Sequence, residues 1–147
     1  MQDLRYAPAS PDDLPAVKEL LERCGLPTAD LTPTHLEHFI LSRLGGRIVG
    51  TVGLELLGQV ALFRSLAVEA SLRGRRVGHE LWARARDHAA ASGIRRLYLL
   101  TTTAEALFGR WGFHRVARDQ VPEIVRATSE FSGMCPSTAV VMTGELG

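Results

Sequence analysis

Residues 66–93 read LAVEASLRGRRVGHELWARARDHAAASG, and two different periods meet in them. Leu66, Ala67 and Val68 end an apolar stretch over residues 59–68 that has the composition and length of a strand. From residue 76 to 92 the period becomes helical, with Val77, Leu81, Ala85 and Ala89 on one line, and Gly93 caps the segment. The join between them, Arg73-Gly74-Arg75-Arg76-Val77-Gly78-His79, is therefore the entrance of a helix that follows a strand. Free N–H groups of a first turn, the helix dipole and glycines that allow close backbone approach favour an anion there. Three arginines in four positions, with His79 beside them, point to a polyanionic ligand. The Gly-Lys-Ser/Thr of a Walker loop and the glycine spacing of a dinucleotide fingerprint are both missing.

Outward from this turn the chain alternates between elements. On the N-terminal side, Gly58 folds the 59–68 strand back onto a strand over residues 47–57, with Val52, Leu54 and Leu56 on one face and Thr51, Gly53 and Glu55 on the other. Gly45-Gly46 supplies a hairpin turn, preceded by an extended segment around residues 38–41 and a short helical segment opened by Thr32-Pro33. Ser10-Pro11-Asp12-Asp13 starts a helix over residues 11–23, with Leu14, Val17, Leu21 and Cys24 at helical spacing, and Gly25 and Pro27 stop it. On the C-terminal side, residues 96–102 suit a covered interior strand, and a short helix over 104–111 stops at Gly112. A strand near 113–116, a last helix over about 122–131 and a closing strand over 138–142 complete the order. The expectation is an α/β chain, a mixed sheet with helices packed on it, in one domain over residues 1–147.

With 147 residues and 46% apolar content, the chain is long enough to bury a core. A formal net charge of +1 supplies no overall pull toward nucleic acid or an anionic membrane, so the arginine cluster has a local meaning. Cys24 and Cys135 are too few for a disulfide scaffold, Met1-Gln2-Asp3-Leu4-Arg5 is not an apolar signal segment, and no apolar run approaches the roughly 20 residues that cross a bilayer. A cytoplasmic protein without membrane or nucleic-acid partners is expected. The two cysteines, distant in sequence, read as separate core or loop residues rather than as ligands of a trivalent metalloid. His35, His38, His88 and His114 lack metal-ligand spacing, and Tyr6, Trp82, Tyr98 and Trp111 read as packing.

Taken with the later Phe108-Gly109-Arg110-Trp111-Gly112-Phe113, the basic turn resembles the GCN5-related N-acetyltransferase (GNAT) superfamily over roughly residues 4–116. Its motif Gln/Arg-x-x-Gly-x-Gly/Ala is matched at Arg73 and Gly78, and its aromatic, three residues, Gly-Phe motif at Phe108 and Gly112-Phe113. The resemblance implies that superfamily's fold, a mostly antiparallel sheet with splayed strands, and acetyl-CoA as co-substrate without a metal. It implies that backbone N–H groups of Arg73, Gly74, Arg75, Arg76, Val77, Gly78 and His79 hold the pyrophosphate, that Leu66, Ala67 and Val68 line the pantetheine arm and acetyl group, and that Thr101 and Phe108 border the cofactor. The N–H near Val68 is the implied oxyanion donor. Three positions depart from the family pattern: Arg76 replaces the middle glycine, Phe108 stands where many members carry a tyrosine that protonates the leaving thiolate, and Thr101 where an asparagine is frequent. Residues 99–104, Leu-Leu-Thr-Thr-Thr-Ala, are similar to N-acetylglutamate synthase-type enzymes, while Pro122-Glu123-Ile124, Glu130-Phe131 and the stretch from Met134 through Cys135-Pro136-Ser137 to Met142 resemble a subgroup associated with arsenic resistance. Those likenesses imply an amino-acid-like acceptor or an arsenic-containing analogue; a homodimer is the implied assembly.

Acetyl transfer to an amine needs a neutral nucleophile, an oxyanion donor and, optionally, an acid for the thiolate. Phe108 cannot be that acid, but a thiol with a pKa of about 8.5 leaves with little help near neutral pH. Glu55, on the strand beside residues 59–68, is the candidate base, against an exposed hairpin carboxylate and water-mediated deprotonation as rivals. Alternation puts Arg64 on one face with Val60, Leu62, Leu66 and Val68, so it needs a partner: a structural carboxylate, or the carboxylate of a small acidic substrate. Other functions open at this point are a protein or peptide N-acetyltransferase, for which no acidic run is visible, and a non-catalytic acetyl-CoA sensor, suggested by the missing tyrosine. A nucleic-acid module rests on Arg73, Arg75 and Arg76 alone and is opposed by net charge and the lack of an aromatic stacking surface.

Overall fold

The computed structural model describes residues 3–134 and 138–146. Strands β1 (Leu4–Pro8), β2 (Phe39–Leu44), β3 (Arg47–Leu57), β4 (Val60–Val68), β5 (Arg96–Thr101), β6 (His114–Arg115) and β7 (Val140–Glu145) form one sheet in the order β1-β2-β3-β4-β5-β7-β6. Every neighbouring pair is antiparallel except β4 and β5, which run parallel because the helix α2 (Val77–Ala91) crosses over between them. The remaining helices are α1 (Leu14–Arg23), α3 (Glu105–Arg110) and α4 (Glu123–Arg126).

The apolar stripe of α2, Val77, Leu81, Trp82, Ala85 and Ala89, packs on Val52, Leu54, Ala61 and Phe63. On the opposite face, Val17, Leu20 and Leu21 of α1 cover Phe39, Leu41 and Ala67, and Val125 of α4 joins Leu62, Tyr98 and Val141. The sheet is thus covered on both sides around β3, β4 and β5, which accounts for the near-continuous apolar character of those strands.

Several boundaries follow local chemistry. Pro11–Asp13 forms a 3₁₀ turn that runs into α1, with the Ser10 amide donating to Asp13 Oδ2 at 2.8 Å. Gly45 and Gly46, with φ of 58° and 83°, supply the positive-φ pair of a tight hairpin between β2 and β3. Strand β1, absent from the sequence-based order, alternates over only a few residues, with Leu4 and Tyr6 half-buried against the core and Arg5 exposed; pairing with β2 holds it. The last helix is shorter than the expected 122–131: α4 has four residues, and the Thr128 hydroxyl donates to the Val125 carbonyl at 2.7 Å, competing with helix continuation. A separate turn follows at Glu130–Met134. The closing strand begins later than expected and extends to Glu145, paired along all of β5; Cys135, Pro136 and Ser137 lie outside the described residues.

One irregularity corrects the sequence-based assignment of faces. Ser65 has φ of 59°, and the β3–β4 register slips between Thr51/Ala67 and Gly53/Arg64. The extra residue inverts the alternation. Leu62 and Ala67 therefore face the α1/α4 side, Leu66 and Val68 pack on the α2 side, and Arg64 does not share a face with those last two.

Gly53 lies opposite Phe39, and a Cβ there would sit 2.2 Å from the Phe39 ring, which is buried and enclosed. Gly53→Ala should therefore destabilise the fold by about 1–3 kcal/mol, seen as a lower urea midpoint with an unchanged slope.

A candidate active site between diverging strands

Strands β4 and β5 share register only at Val60–Arg96, Ala61–Leu97 and Leu62–Tyr98. Past Leu62 the strands separate, and the β5-facing edge of β4 has no ladder partner. A cleft of about 1050 Å³ fills the gap, walled by residues 63–68 on one side, residues 99–104 on the other, and the start of α2 at one end.

The α2 entrance is built for negative charge. Gly74 and Arg76 have φ of 82° and 63°, so the chain doubles back before the helix. Arg76 holds a left-handed conformation that costs a residue with a Cβ roughly 1 kcal/mol and costs glycine almost nothing, which gives a physical reason for a glycine in the motif at this point. The first helical hydrogen bond, Glu80 N to Arg76 O at 3.0 Å, leaves the amides of Val77, Gly78 and His79 before it, and all three residues line the cleft. Arg73 and Arg76 line it too, whereas Arg75 is exposed and outside its wall. The Arg73 guanidinium also donates to the Val68 carbonyl at 3.1 Å and lies 3.6 Å from Cys24 Sγ, tying the strand end to the turn.

Further along, Leu66, Ala67, Val68, Thr101 and Phe108 all reach the cleft wall. The Thr101 hydroxyl accepts from the Ala104 amide at 3.0 Å and so shapes the turn into α3. The Phe108 ring is edge-on to Phe63 at 5.8 Å and to Trp111 at 5.6 Å, and Trp111 stacks on Trp82 at 5.8 Å. This end of the cleft is an aromatic wall without a phenol hydroxyl.

Arg64 occupies the α1/α4 side. Its side chain is wholly buried, and the guanidinium makes four hydrogen bonds and one further ion-pair contact. Nε donates to Ser65 Oγ at 3.0 Å, Nη1 to Asp30 at 2.5 Å and Glu55 at 2.7 Å, and Nη2 to Asp30 at 2.9 Å, with Glu130 3.3 Å away. Of the two partners that alternation required, the structure supplies structural carboxylates, and the side chain they surround has no exposure. Glu55, the base candidate from sequence, accepts from Arg64 at 2.7 Å and lies outside the cleft wall. Burial opposes ionisation of Asp30, but the Arg64 hydrogen bonds and charge outweigh it and hold that carboxyl below its usual range. For Glu130 burial dominates and pushes the carboxyl up to about 7, with Asp30 and Glu55 acting in the same direction and Arg64 against. Glu130 lines the cleft; no spacing pattern links it to residues 30, 55 and 64.

Asp30, His35 and Glu55 bring ligand atoms within 4.8 Å of one another, a grouping that sequence spacing did not reveal. The guanidinium of Arg64 already pairs with both carboxylates, and His35 Nδ1 accepts the Thr32 amide at 3.1 Å, so these groups are engaged within the protein. Among the described residues, no helix is long and apolar enough to cross a membrane.

A basic helix entrance that opens into an apolar gap between strands suits a ligand with phosphates at one end and a less polar arm at the other. Residues 5–116 match the model of the acetyltransferase (GNAT) family, and the chain belongs to that family. A comparison with curated protein sequences gives no match. Among solved structures, the chain is similar to N-acetylglutamate synthase from Neisseria gonorrhoeae complexed with coenzyme A and N-acetyl-glutamate, with 23% identity and a TM-score of 0.84, covering 99% of this chain and 35% of that one. It therefore spans about a third of that enzyme's length. Rv2747 from Mycobacterium tuberculosis, in complex with CoA, matches at 21% identity and a TM-score of 0.81, covering 97% and 99% of the two chains. The PaiA N-acetyltransferase from Thermoplasma acidophilum, in complex with coenzyme A, matches at 11% identity and 0.71, covering 97% and 99%.

Removing the guanidinium would leave three buried carboxylates facing one another. Arg64→Ala should lower the unfolding free energy by about 3–5 kcal/mol in urea denaturation, whereas a surface variant such as Arg86→Ala should change it by less than about 1 kcal/mol.

Proposed function

We propose that the protein transfers the acetyl group of acetyl-CoA to the amine of a small molecule, amino-acid-like or an arsenic-containing analogue. The observation that carries this proposal is the continuity of the cleft, from the amides of Val77, Gly78 and His79 to the unpaired edge of β4. The pyrophosphate would rest on that helix entrance, with Arg73 and Arg76 adding charge. The pantetheine arm would run along Leu66, Ala67 and Val68, and the free edge of β4 near Val68 would supply an N–H to the carbonyl oxygen as it gains charge. With a phenylalanine at residue 108, the thiolate leaves without a side-chain acid there and takes its proton from the reacting nitrogen or from water.

The acceptor enters past the Arg64 cluster. Three carboxylates around one guanidinium give this region a negative field when ionised, which draws an ammonium. An acceptor carboxylate would have to be met elsewhere, because Arg64 is wholly buried among three carboxylates of the protein itself. Likeness to N-acetylglutamate synthase supports an amino-acid acceptor, and likeness of the tail to the arsenic-associated subgroup supports its arsenic analogue. A homodimer is proposed on family grounds alone.

Two measurements test this proposal. Calorimetric titration should show acetyl-CoA binding, with adenosine and free phosphate binding far more weakly. A Cβ at Gly78 would meet only Val68 Cγ2, at 3.8 Å, so the fold tolerates a side chain there while the cleft entrance narrows. Gly78→Val should keep the melting temperature and lose roughly tenfold or more in acetyl-CoA affinity; an unchanged affinity would remove the pyrophosphate assignment. CoA release should then be assayed with amino acids, arsenic-containing analogues and matched amines lacking the carboxylate. Binding without release for any of them would make the protein an acetyl-CoA sensor.

A further inference from the structure

Among the described residues, the cleft wall holds one carboxylate and one imidazole, Glu130 and His79. His79 belongs to the first turn of α2, where its ring is edge-on to Trp111 at 5.9 Å and its Nδ1 lies 3.4 Å from the Arg76 guanidinium. That is the phosphate end. Glu130 comes from the turn between α4 and β7 and meets Arg64 on the face of the sheet opposite α2. Phosphate-binding amides and this carboxylate therefore approach the gap from opposite faces, leaving the thioester between them.

We infer that the Glu130 carboxylate is the general base that takes a proton from the ammonium of the acceptor; this rests on the acetyl-transfer function proposed above. Its geometry separates it from the other acids. Asp30 receives two hydrogen bonds from Arg64, at 2.5 and 2.9 Å, and Glu55 one at 2.7 Å, and neither lines the cleft. Glu130 has the longest of the Arg64 contacts, 3.3 Å, so the arginine positions it without consuming its lone pairs. Arg64 from β4, Asp30 from the loop after α1 and Glu55 from β3 are the charged groups that act on it, and with burial they bring its titration to about 7, near the value that serves a base at neutral pH.

The step balances. The ammonium gives one proton to Glu130 and becomes an amine, whose nitrogen attacks the thioester carbonyl carbon. The C–N bond forms, the C–S bond breaks with its electron pair leaving on sulfur, and the second nitrogen proton passes to the thiolate. Glu130 then returns its proton to water, for a net yield of one acetamide, one CoA thiol and one proton.

Because the base works ionised, kcat/KM for the best acceptor from the screen should climb with unit slope below pH about 7 and level above it. Glu130→Gln should cut kcat/KM by about a hundredfold above pH 7 and abolish that limb, while acetyl-CoA affinity by calorimetry stays the same. The variant also removes a carboxylate whose ionisation burial opposes, so its melting temperature at pH 8 should equal or exceed that of the parent. Glu130→Asp, which keeps a carboxylate, should restore part of the rate and show a displaced limb; it also serves as the test if the glutamine variant misfolds. A glutamine or aspartate variant with full rate and an unmoved limb overturns the assignment of Glu130 and leaves acetyl transfer standing. Failure of the parent protein to bind acetyl-CoA overturns both.

Discussion

Strands β4 and β5 hold each other through only three register pairs, and the site depends on what happens after the third. Parallel pairing ends at Leu62 and Tyr98, and three residues later Ser65 adopts a positive φ that bends β4 and adds a residue against β3. A strand in mid-sheet with a free edge would ordinarily be a liability, since its amides and carbonyls lack partners. Here the free edge faces a cleft, where a thioester-bearing arm can take the place of the absent strand. The same bulge turns Leu66 and Val68 toward α2 while Arg64 stays on the α1/α4 side, so one backbone irregularity separates an apolar wall of the cleft from the charged cluster.

The second constraint is electrostatic. Burying Arg64 completely is unfavourable unless its charge and donors are met, and its guanidinium reaches Ser65, Asp30 and Glu55 by hydrogen bonds and Glu130 by an ion pair. Those partners come from the loop after α1, from β3, from β4 itself and from the turn after α4. One side chain thereby fixes three segments that no hydrogen-bonded ladder connects to one another. Because three acids share one cation, they do not titrate alike: Asp30, doubly bonded, is held ionised, and Glu130, the most weakly held, is raised. A cluster that orders the fold thus also sets apart one carboxylate suited to accept protons.

At the other end of the cleft, an arginine stands at a backbone position that suits glycine, and a phenyl ring at the position where a hydroxyl is frequent. Arg76 accepts a left-handed conformation in exchange for a guanidinium beside the phosphate site. Phe108 gains edge-on contacts with Phe63, Trp111 and Phe113 that a buried phenol would have to combine with a hydrogen-bond partner. Both exchanges are tolerable for a thioester reaction, in which the charge to be met sits on phosphates and a carbonyl oxygen and the leaving group is a stable anion.

Local sequence by itself determined the elements around the basic turn. Strand β3 falls on the residues where alternation placed it, α2 within one residue of its expected ends, and the hairpin at Gly45-Gly46 takes the positive φ values that those glycines permit. These features depend on neighbours a few residues apart, so periodicity and turn chemistry carry them. Strand β1 escaped because its apolar face is only Leu4 and Tyr6, too short a pattern to stand out, and the last helix was overextended because a hydroxyl at Thr128 competes for a helical carbonyl. Only the tertiary structure decided the acceptor side. The partners of Arg64 lie 34, 9 and 66 positions away, at residues 30, 55 and 130, and each is an unremarkable acid when read alone. The burial and repulsion that raise Glu130 exist only when those segments meet in space, and the face that Leu66 and Val68 occupy depends on a one-residue bulge that alternation does not anticipate.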